Sequence, residues 1–218
     1  MTSATVEEYL EAIYKLSERG PVRPTPIAEA VGVSGPTVTA TLRRLQDKGL
    51  VSRVGGAVLL TEEGRSLALD IIRRHRLAER FLVDVLGMPW EEAHEDACLL
   101  EHALSPRVLG RLEQYLENPT VCPHGHPIPT EEGEVAEVSG TSLSDFGPGS
   151  RAQILQVSED DEAMLAYLGS MGMFPGTVVS VTEVAPFRGP LLIEVDDSTY
   201  ALGRDIAEKI LAKSAGKR

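Results

Sequence analysis

Hydrophobic residues recur at helical spacing near the start of the chain. Between Val6 and Glu18 they lie on one face of a helix, and Thr5 with Glu8 forms a capping box at its start. Two shorter helices are expected next, because each has proline in its first turn and Gly32 ends the first of them. Helix, glycine turn and helix together predict a helix-turn-helix.

After this motif the pattern changes to short strands and then returns to helical spacing. Residues 50–61 predict two strands joined at Gly55 and Gly56, which is the wing of a winged helix-turn-helix. Longer apolar periods predict helices over residues 61–86, 91–103 and 106–116. Residues 118–149 have no period, and we expect a linker there.

From about residue 151 the chain changes to short β-branched runs separated by turn residues. These runs, interrupted by a short helix over residues 161–169, predict a small antiparallel β-barrel. With 218 residues, of which 42% are hydrophobic, the chain can bury the cores of one to three small domains. Because helices come first and strands last, the pattern indicates an α+β protein.

The formal net charge of -12 is unevenly distributed. Residues 1–75 carry 10 Lys and Arg against 9 Asp and Glu, so the remaining residues carry 11 against 24. The near-neutral N-terminal segment can bind a polyanion if the acidic remainder faces away from it. Charged residues interrupt the N-terminal segment and no later apolar stretch could span a bilayer, so we expect a cytoplasmic protein without membrane contact.

A group of metal-capable side chains lies between residues 94 and 102, in the run H-E-D-A-C-L-L-E-H. At helical spacing His94, Cys98, Glu101 and His102 share one helical face. Imidazole, thiolate and carboxylate suit a transition metal of the Mn to Zn series better than calcium or magnesium. The alternative is a polar helix surface with one buried cysteine. In a reducing cytosol, metal ligation also explains Cys98 and Cys122 better than a disulfide does.

The second helix of a winged helix-turn-helix enters the major groove, and here its surface is rich in hydroxyl groups. Hydroxyls for bases or phosphates are expected from Ser34, Thr37, Thr39 and Thr41, and Pro36 can pack against thymine methyl groups. Phosphate contacts are expected from Arg43, Arg44, Lys48 and Arg53. Because no Arg, Asn or Gln stands at the helix tip, discrimination should be low, about 1 kcal/mol per base pair. The alternative is a winged helix used only for protein contact.

Three segments in this order, S-G-P-T-V-T, R-R-H-R-L-A-E-R-F-L and H-E-D-A-C-L-L-E-H, resemble the diphtheria toxin repressor family of iron- and manganese-responsive regulators. The segment M-G-M-F-P-G-T-V-V-S-V resembles the SH3-like domain that this family shares with a small ferrous-transport protein. The resemblance implies a winged helix-turn-helix DNA-binding domain over 1–72, a helical metal-binding and dimerisation domain with linker over 73–140, and an SH3-like barrel over 150–215. It also implies a homodimer that, when loaded with divalent metal, binds palindromic operator DNA and represses metal-uptake genes.

The same resemblance implies two metal sites in each subunit. The primary site would consist of Glu8, Glu11, Cys98, Glu101 and His102. The second site would consist of His75, Glu79, His94 and Asp160. Cys122 and His124 match linker ligands of manganese-responsive members from streptococci, whereas His126 is either a ligand or a solvated linker histidine.

The identity of the metal depends on which donors dominate. Oxygen donors favour Mn(II), whereas Cys98 favours Fe(II), Co(II) or Zn(II). Glu8, Glu11 and the linker motif make Mn(II) our first expectation, with Fe(II) and control of iron uptake as the alternative. A zinc hydrolase with Glu95 as base is disfavoured, because the chain has no H-E-x-x-H, glycine-rich phosphate loop or nucleophile elbow. Two further alternatives are a metal-regulated activator and a regulator whose C-terminal barrel docks a partner protein.

Overall fold

The computed structural model describes residues 3–159 and 161–216, which form two compact units. The first unit contains the chain through His75, residues 101–104 and residues 129–134. The second contains residues 76–100, residues 105–128 and the chain from residue 135 onward. Among the described residues, no helix combines the length and the apolar character needed to cross a membrane.

The first unit contains the predicted winged helix-turn-helix. Its elements are α1 (Ala4–Ser17), α2 (Pro24–Val31), α3 (Gly35–Asp47), β1 (Val51–Val54), β2 (Ala57–Leu60) and most of α4 (Glu62–Arg80). Pro24 lies in the first turn of α2, and Gly32 ends that helix in the left-handed conformation with φ of 66°. β1 and β2 pair antiparallel across a turn in which Gly55 and Gly56 both have positive φ.

Apolar side chains at helical spacing form the core of this unit. Leu10 and Ile13 of α1 are fully buried, as are Ile27 of α2 and both Leu42 and Leu45 of α3. Complete burial of a side chain of this size stabilises the fold by roughly 1.5–3 kcal/mol. The core therefore holds α1 against the helix-turn-helix.

The second unit joins helical segments to a small β domain. Besides the end of α4 it contains α5 (Ala93–Glu101, whose last residue belongs to the first unit), α6 (Pro106–Tyr115), β3 (Thr141–Ser142), β4 (Ser150–Val157), α7 (Glu162–Ser170), β5 (Val178–Val184), β6 (Leu191–Val195), β7 (Ser198–Leu202), α8 (Arg204–Ala207) and β8 (Ile210–Ser214). These strands pair antiparallel in the order β3-β8-β4-β5-β6-β7. Ile154, Val179 and Ile193 are fully buried in its core. The α+β fold class is thus confirmed.

Two predicted boundaries differ from the structure. The helix expected over residues 61–86 ends at Arg80, and residues Phe81–Val85 form a π-helical turn. The helix expected over 91–103 spans only Ala93–Glu101. Apolar residues continue past both ends, and a hydrophobic period does not register a change of hydrogen-bond pattern.

Arginine side chains of α4 hold the linker against the helix. Arg76 donates a hydrogen bond to the carbonyl oxygen of Pro127, and Arg80 donates one to the carbonyl oxygen of Val121 at 2.7 Å. Arg73 makes a similar bond to a linker carbonyl within the first unit. Each bond satisfies a backbone acceptor that a segment without a helix or sheet ladder would otherwise leave unpaired. These bonds explain how an aperiodic segment is packed in one conformation.

Gly64 of α4 leaves no room for a side chain, because a Cβ atom there would overlap with the carbonyl oxygen of Leu50. We expect Gly64→Ala to lower the free energy of unfolding by about 1–3 kcal/mol, measured by urea denaturation. The matched control is Gly110→Ala in α6, where nothing lies within 4 Å of the added Cβ. That variant should be neutral or stabilised by up to about 1 kcal/mol. Equal stabilities of the two variants would contradict this packing.

Candidate metal centres

The first cluster of metal-capable groups lies within the first unit and consists of Glu11, His75 and Glu101. One ligand atom from each lies within 4.8 Å of the others. The Nδ1 atom of His75 and the Oε2 atom of Glu101 are 2.7 Å apart, and both side chains are almost fully buried. Burial raises the pKa of Glu101; the hydrogen bond to His75 opposes this rise, and the charge of Glu11 adds to it.

Glu7, rather than Glu8, lies beside this cluster. His102 Nδ1 is 2.7 Å from Glu7 Oε2, and Glu7 is buried. Arg74 lies 3.8 Å from the other Glu7 oxygen and donates a hydrogen bond to the carbonyl of Glu101 at 3.1 Å. The side chain of Glu8 is exposed. Because consecutive helical residues differ by about 100° in direction, Glu7 and Glu8 cannot share one orientation, and in the structure Glu7 is the one that faces His102. The role of Glu8 as a metal ligand stays a prediction.

The second cluster lies within the second unit and consists of Glu79, Cys122, His124 and Glu159. One ligand atom from each lies within 4.8 Å of the others. His124 Nδ1 is 3.4 Å from Glu79 Oε1, 4.0 Å from Glu159 Oε2 and 4.0 Å from Cys122 Sγ. The first three residues are at most 1% exposed. Four potential donors therefore face a common point inside the protein.

The negative charges of this cluster favour the binding of a cation. Burial, followed by the charges of Glu79 and Glu159, raises the pKa of Cys122 well above its ordinary value. For His124, burial alone lowers the pKa, but the hydrogen bond and charge of Glu79 outweigh burial and raise it. Buried carboxylates are costly without a compensating positive charge. The donor set fits a divalent transition metal, because bound metal would compensate the carboxylates and favour deprotonation of the thiol.

The linker backbone brings Cys122 and His124 to this position. Cys122 N donates to the carbonyl of His126 at 2.8 Å, and Val157 N of β4 donates to the carbonyl of His124 at 3.0 Å. Gly125 has a φ of 87°, and a Cβ there would overlap with the Leu155 carbonyl oxygen. Only glycine therefore allows the tight turn that lays the linker on β4.

Two residues of the 94–102 run have close polar neighbours within the second unit. His94 Nδ1 is 3.6 Å from Glu79 Oε1, and Cys98 Sγ is 3.8 Å from His94 Nε2. Glu101 and His102 belong to the first unit, whereas His94 and Cys98 belong to the second. The resemblance likewise placed His94 and Glu79 in one site, and the ligand roles of the four side chains of this run stay predictions.

Other predicted ligands appear in the two clusters described above. We expected His75 and Glu79 in one site; in the structure His75 is a member of the cluster with Glu11 and Glu101, and Glu79 is a member of the cluster with Cys122, His124 and Glu159. Asp160 lies outside the described residues, whereas Glu159, which the sequence reasoning missed, belongs to the second cluster. In the sequence, the only indication of Glu159 was its position next to Asp160, which the resemblance suggested as a ligand. His126 Nε2 bonds to the carbonyl of Val157 at 3.0 Å, and burial lowers the pKa of His126.

Most of the residues expected to contact DNA are exposed to solvent. Exposed members are Ser34, Pro36, Thr37, Thr39, Arg43, Arg44, Lys48 and Arg53, and Thr41 is half-buried. The hydroxyls of Ser34 and Thr37 are 2.9 Å apart, and Thr39 Oγ1 donates to the carbonyl of Gly35 at 3.0 Å. Local bonds thus orient these hydroxyls at the start of α3, the end of the helix that contacts bases in this motif.

Three family models match consecutive parts of the chain. They are the N-terminal DNA binding domain of iron dependent repressors (residues 1–56), the metal binding and dimerisation domain of the same repressors (residues 61–130) and the FeoA domain (residues 141–214). The resemblance seen in the sequence motifs is therefore confirmed for the DNA-binding, helical and C-terminal parts of the chain.

Known proteins match over nearly the whole length. The iron-dependent repressor IdeR of Mycobacterium leprae is 37% identical over 94% of this chain and 95% of its own. The diphtheria toxin repressor of Corynebacterium diphtheriae is 38% identical over 71% and 73%. A solved manganese-dependent transcriptional repressor in complex with manganese is 35% identical, with a TM-score of 0.89 over 96% of this chain and 100% of its own. The chain belongs to the iron-dependent repressor family, a family of metal-dependent transcriptional repressors and not of enzymes.

The contact between Glu7 and His102 leads to a prediction about the metal-free protein. Glu7→Gln should lower the free energy of unfolding by about 1.5–3 kcal/mol, because a buried carboxylate loses its charge beside His102 and Arg74. The matched control, Glu8→Gln, alters an exposed neighbour and should change stability by less than about 0.5 kcal/mol. Urea denaturation in the presence of a chelator measures both. A larger loss in Glu8→Gln would contradict the orientation of α1.

Proposed function

We propose that this protein is a manganese-responsive repressor of manganese-uptake genes. The observation that carries this choice of metal is the donor set of Glu11, His75 and Glu101, which contains oxygen and nitrogen but no sulfur. Such donors suit Mn(II), whereas thiolate favours softer metals. Cys98, the residue that argued for iron, contacts His94. The likeness to a manganese-dependent repressor bound to manganese supports the same choice.

Iron is the second candidate, and separate observations favour it. Cys122 adds a sulfur donor to the second cluster, which moves its preference toward Fe(II), Co(II) or Zn(II). Curated relatives that cover most of the chain are named for iron dependence. Under this alternative the regulated genes would serve iron uptake, and the two clusters could also differ in the metal that they prefer.

In the proposed mechanism, the first cluster links metal binding to the DNA-binding domain. Glu11 lies on α1, which packs against α2 and β2, whereas His75 lies on α4 and Glu101 ends α5. Without a cation the carboxylates of Glu11 and Glu101 repel each other. Bound Mn(II) would supply the positive charge that both carboxylates face. α1 is then held toward α4, and this arrangement is the one that we propose binds DNA.

Linkage sets a further requirement on this mechanism. A metal can favour the DNA-binding arrangement only by as much as its affinity differs between the two arrangements. Operator DNA must then strengthen metal binding by the same factor. Glu7 and His102, which are hydrogen-bonded in the structure, are proposed to keep α1 close to the cluster before the metal binds.

The second proposed site consists of Glu79, Cys122, His124 and Glu159. It joins α4, the linker and the segment after β4. His124 presents Nδ1 to this site, and Cys122 loses its proton when it becomes a ligand. His94, which lies 3.6 Å from Glu79, is a further candidate ligand of the same carboxylate. We propose that this site stabilises the packing of the linker and the β domain.

We propose a cytoplasmic homodimer on a palindromic operator, with α3 of each subunit in the major groove. The family model over residues 61–130 describes a dimerisation domain. Leu99 on α5 and Val108 on α6 are 74% and 51% exposed, and large exposed apolar side chains on neighbouring helices suit a subunit interface. Two-fold symmetry would give half-sites one helical turn or more apart.

A gel-shift titration tests the proposed metal response. Mn(II) should tighten binding of the wild type to the promoter of a manganese-transport operon by about 5- to 150-fold, and chelator should reverse the effect. Glu11→Gln should lose most of this gain because it removes a charged donor, whereas Glu8→Gln should keep it. A DNA affinity that does not change when metal is added or removed would contradict the proposal. A response to Fe(II) but not to Mn(II) at micromolar levels would favour the iron alternative.

The salt dependence of binding tests the proposed DNA surface. Arg43→Ala and Arg44→Ala should each weaken binding to all sequences and reduce the slope of log affinity against log salt by about 1, because each removes a phosphate contact. The matched control is Lys213→Ala, which removes the same charge from an exposed position on β8. An unchanged slope in both arginine variants would exclude α3 from the interface.

A further inference from the structure

Trp90, the only tryptophan of the chain, lies directly beside a proposed metal ligand. It precedes α5, is 6% exposed, and its indole ring stacks on the imidazole of His124 with ring centroids 5.2 Å apart and an interplanar angle of 28°. The carbonyl oxygen of Trp90 accepts a hydrogen bond from His124 Nε2 at 3.0 Å. Both the ring and the backbone of one residue therefore contact the same imidazole.

The hydrogen bond determines which nitrogen of His124 can bind a metal. Because Nε2 donates its proton to the Trp90 carbonyl, Nδ1 is the nitrogen that has the free lone pair when the imidazole is neutral. Nδ1 is the atom that faces Glu79, Cys122 and Glu159. A bond from the second ring nitrogen of a ligating histidine orients the ring and sets its tautomer. The geometry thus predisposes His124 to ligate through Nδ1.

The indole of Trp90 is held by packing with the β domain. It belongs to the hydrophobic core of that domain, and the ring of Phe174 contacts it at 5.0 Å between centroids. A Cβ at Gly169 of α7 would lie only 2.8 Å from Trp90 Nε1. That Nε1 atom is buried and has no hydrogen-bond partner among the described residues. The position of the indole therefore depends on the shape of the surrounding core and not on a polar contact.

From these contacts we propose that Trp90 is a positioning residue for His124, and that the packing of Gly169 and Phe174 on its indole sets the metal affinity of the second cluster. The inference rests on the proposed metal site at Glu79, Cys122, His124 and Glu159. None of Trp90, Gly169 and Phe174 offers a ligand to that site. A change at any of them therefore acts through the orientation of the imidazole.

Cadmium titration of the full-length protein tests this inference. Cd(II) bound by Cys122 gives a thiolate charge-transfer absorbance, and Cys122→Ser identifies which part of the signal comes from this cluster. Trp90→Leu, which removes the stacked ring, should weaken Cd(II) binding there by about 10- to 100-fold. Gly169→Ala should weaken it in the same direction, because its methyl group displaces the indole.

Further variants separate positioning from loss of folding. Phe174→Leu is the milder test, because Phe174 is 41% exposed and its replacement leaves most of the core intact. It should retain a cooperative thermal transition and still bind Cd(II) more weakly. Trp90→Phe keeps an aromatic ring against His124 and should keep more of the affinity than Trp90→Leu. Mn(II) binding at Glu11, His75 and Glu101 should not change in any of these variants.

Nitrogen-15 NMR of labelled histidine supplies a readout that a purely structural role would not move. In metal-free wild type, at a pH high enough for His124 to be neutral, the proton should be on Nε2, and Gly169→Ala should reduce the population of that tautomer. Folded Trp90→Leu and Phe174→Leu variants with wild-type Cd(II) affinity would overturn the positioning role while leaving the metal site standing. Absence of any Cys122-dependent signal in wild type would overturn the site and the inference together.

Discussion

The free-energy cost of burying carboxylates beside histidines and a thiol is the constraint on which both clusters depend. Glu79 and Glu101 are at most 1% exposed, and neither is far from a second acidic group. Removing such groups from water costs several kcal/mol each unless positive charge or protons compensate them. His75 and His102 lie against Glu101, and His124 lies against Glu79, which supplies part of that compensation. A divalent cation would complete it, which makes folding and metal binding thermodynamically linked.

Helix α4 contributes to both clusters because of its spacing. His75 and Glu79 are one turn apart, and each joins a different group of donors. The arginines between and beside them bond linker carbonyls, so the same helix supplies ligands and packs the segment that carries Cys122 and His124. A helix that orders the linker in this way limits how far the ligands can move, and limited movement favours one coordination geometry over others.

Much of the fold could be predicted from the sequence. The first three helices, the wing and the β-rich C-terminal part follow from proline, glycine and apolar periods within about ten residues of each other. The residue types of the site could be predicted too, since histidine, cysteine and carboxylate stand together in 94–102. The spacing of arginines three and four residues apart on α4 can also be read from the sequence. Their hydrogen-bond acceptors cannot, because these are carbonyl oxygens of the linker, which no sequence pattern marks.

The sequence by itself determined the local elements and the kinds of donors, because both depend on neighbouring residues. Only the tertiary structure decided how donors are grouped. Glu7 rather than Glu8 faces His102 because side-chain burial selects the rotation of α1, and both choices satisfy the helical period. Glu159 meets Glu79 across a separation of eighty residues. Contacts over such distances result from the packing of whole elements, which a local pattern cannot encode.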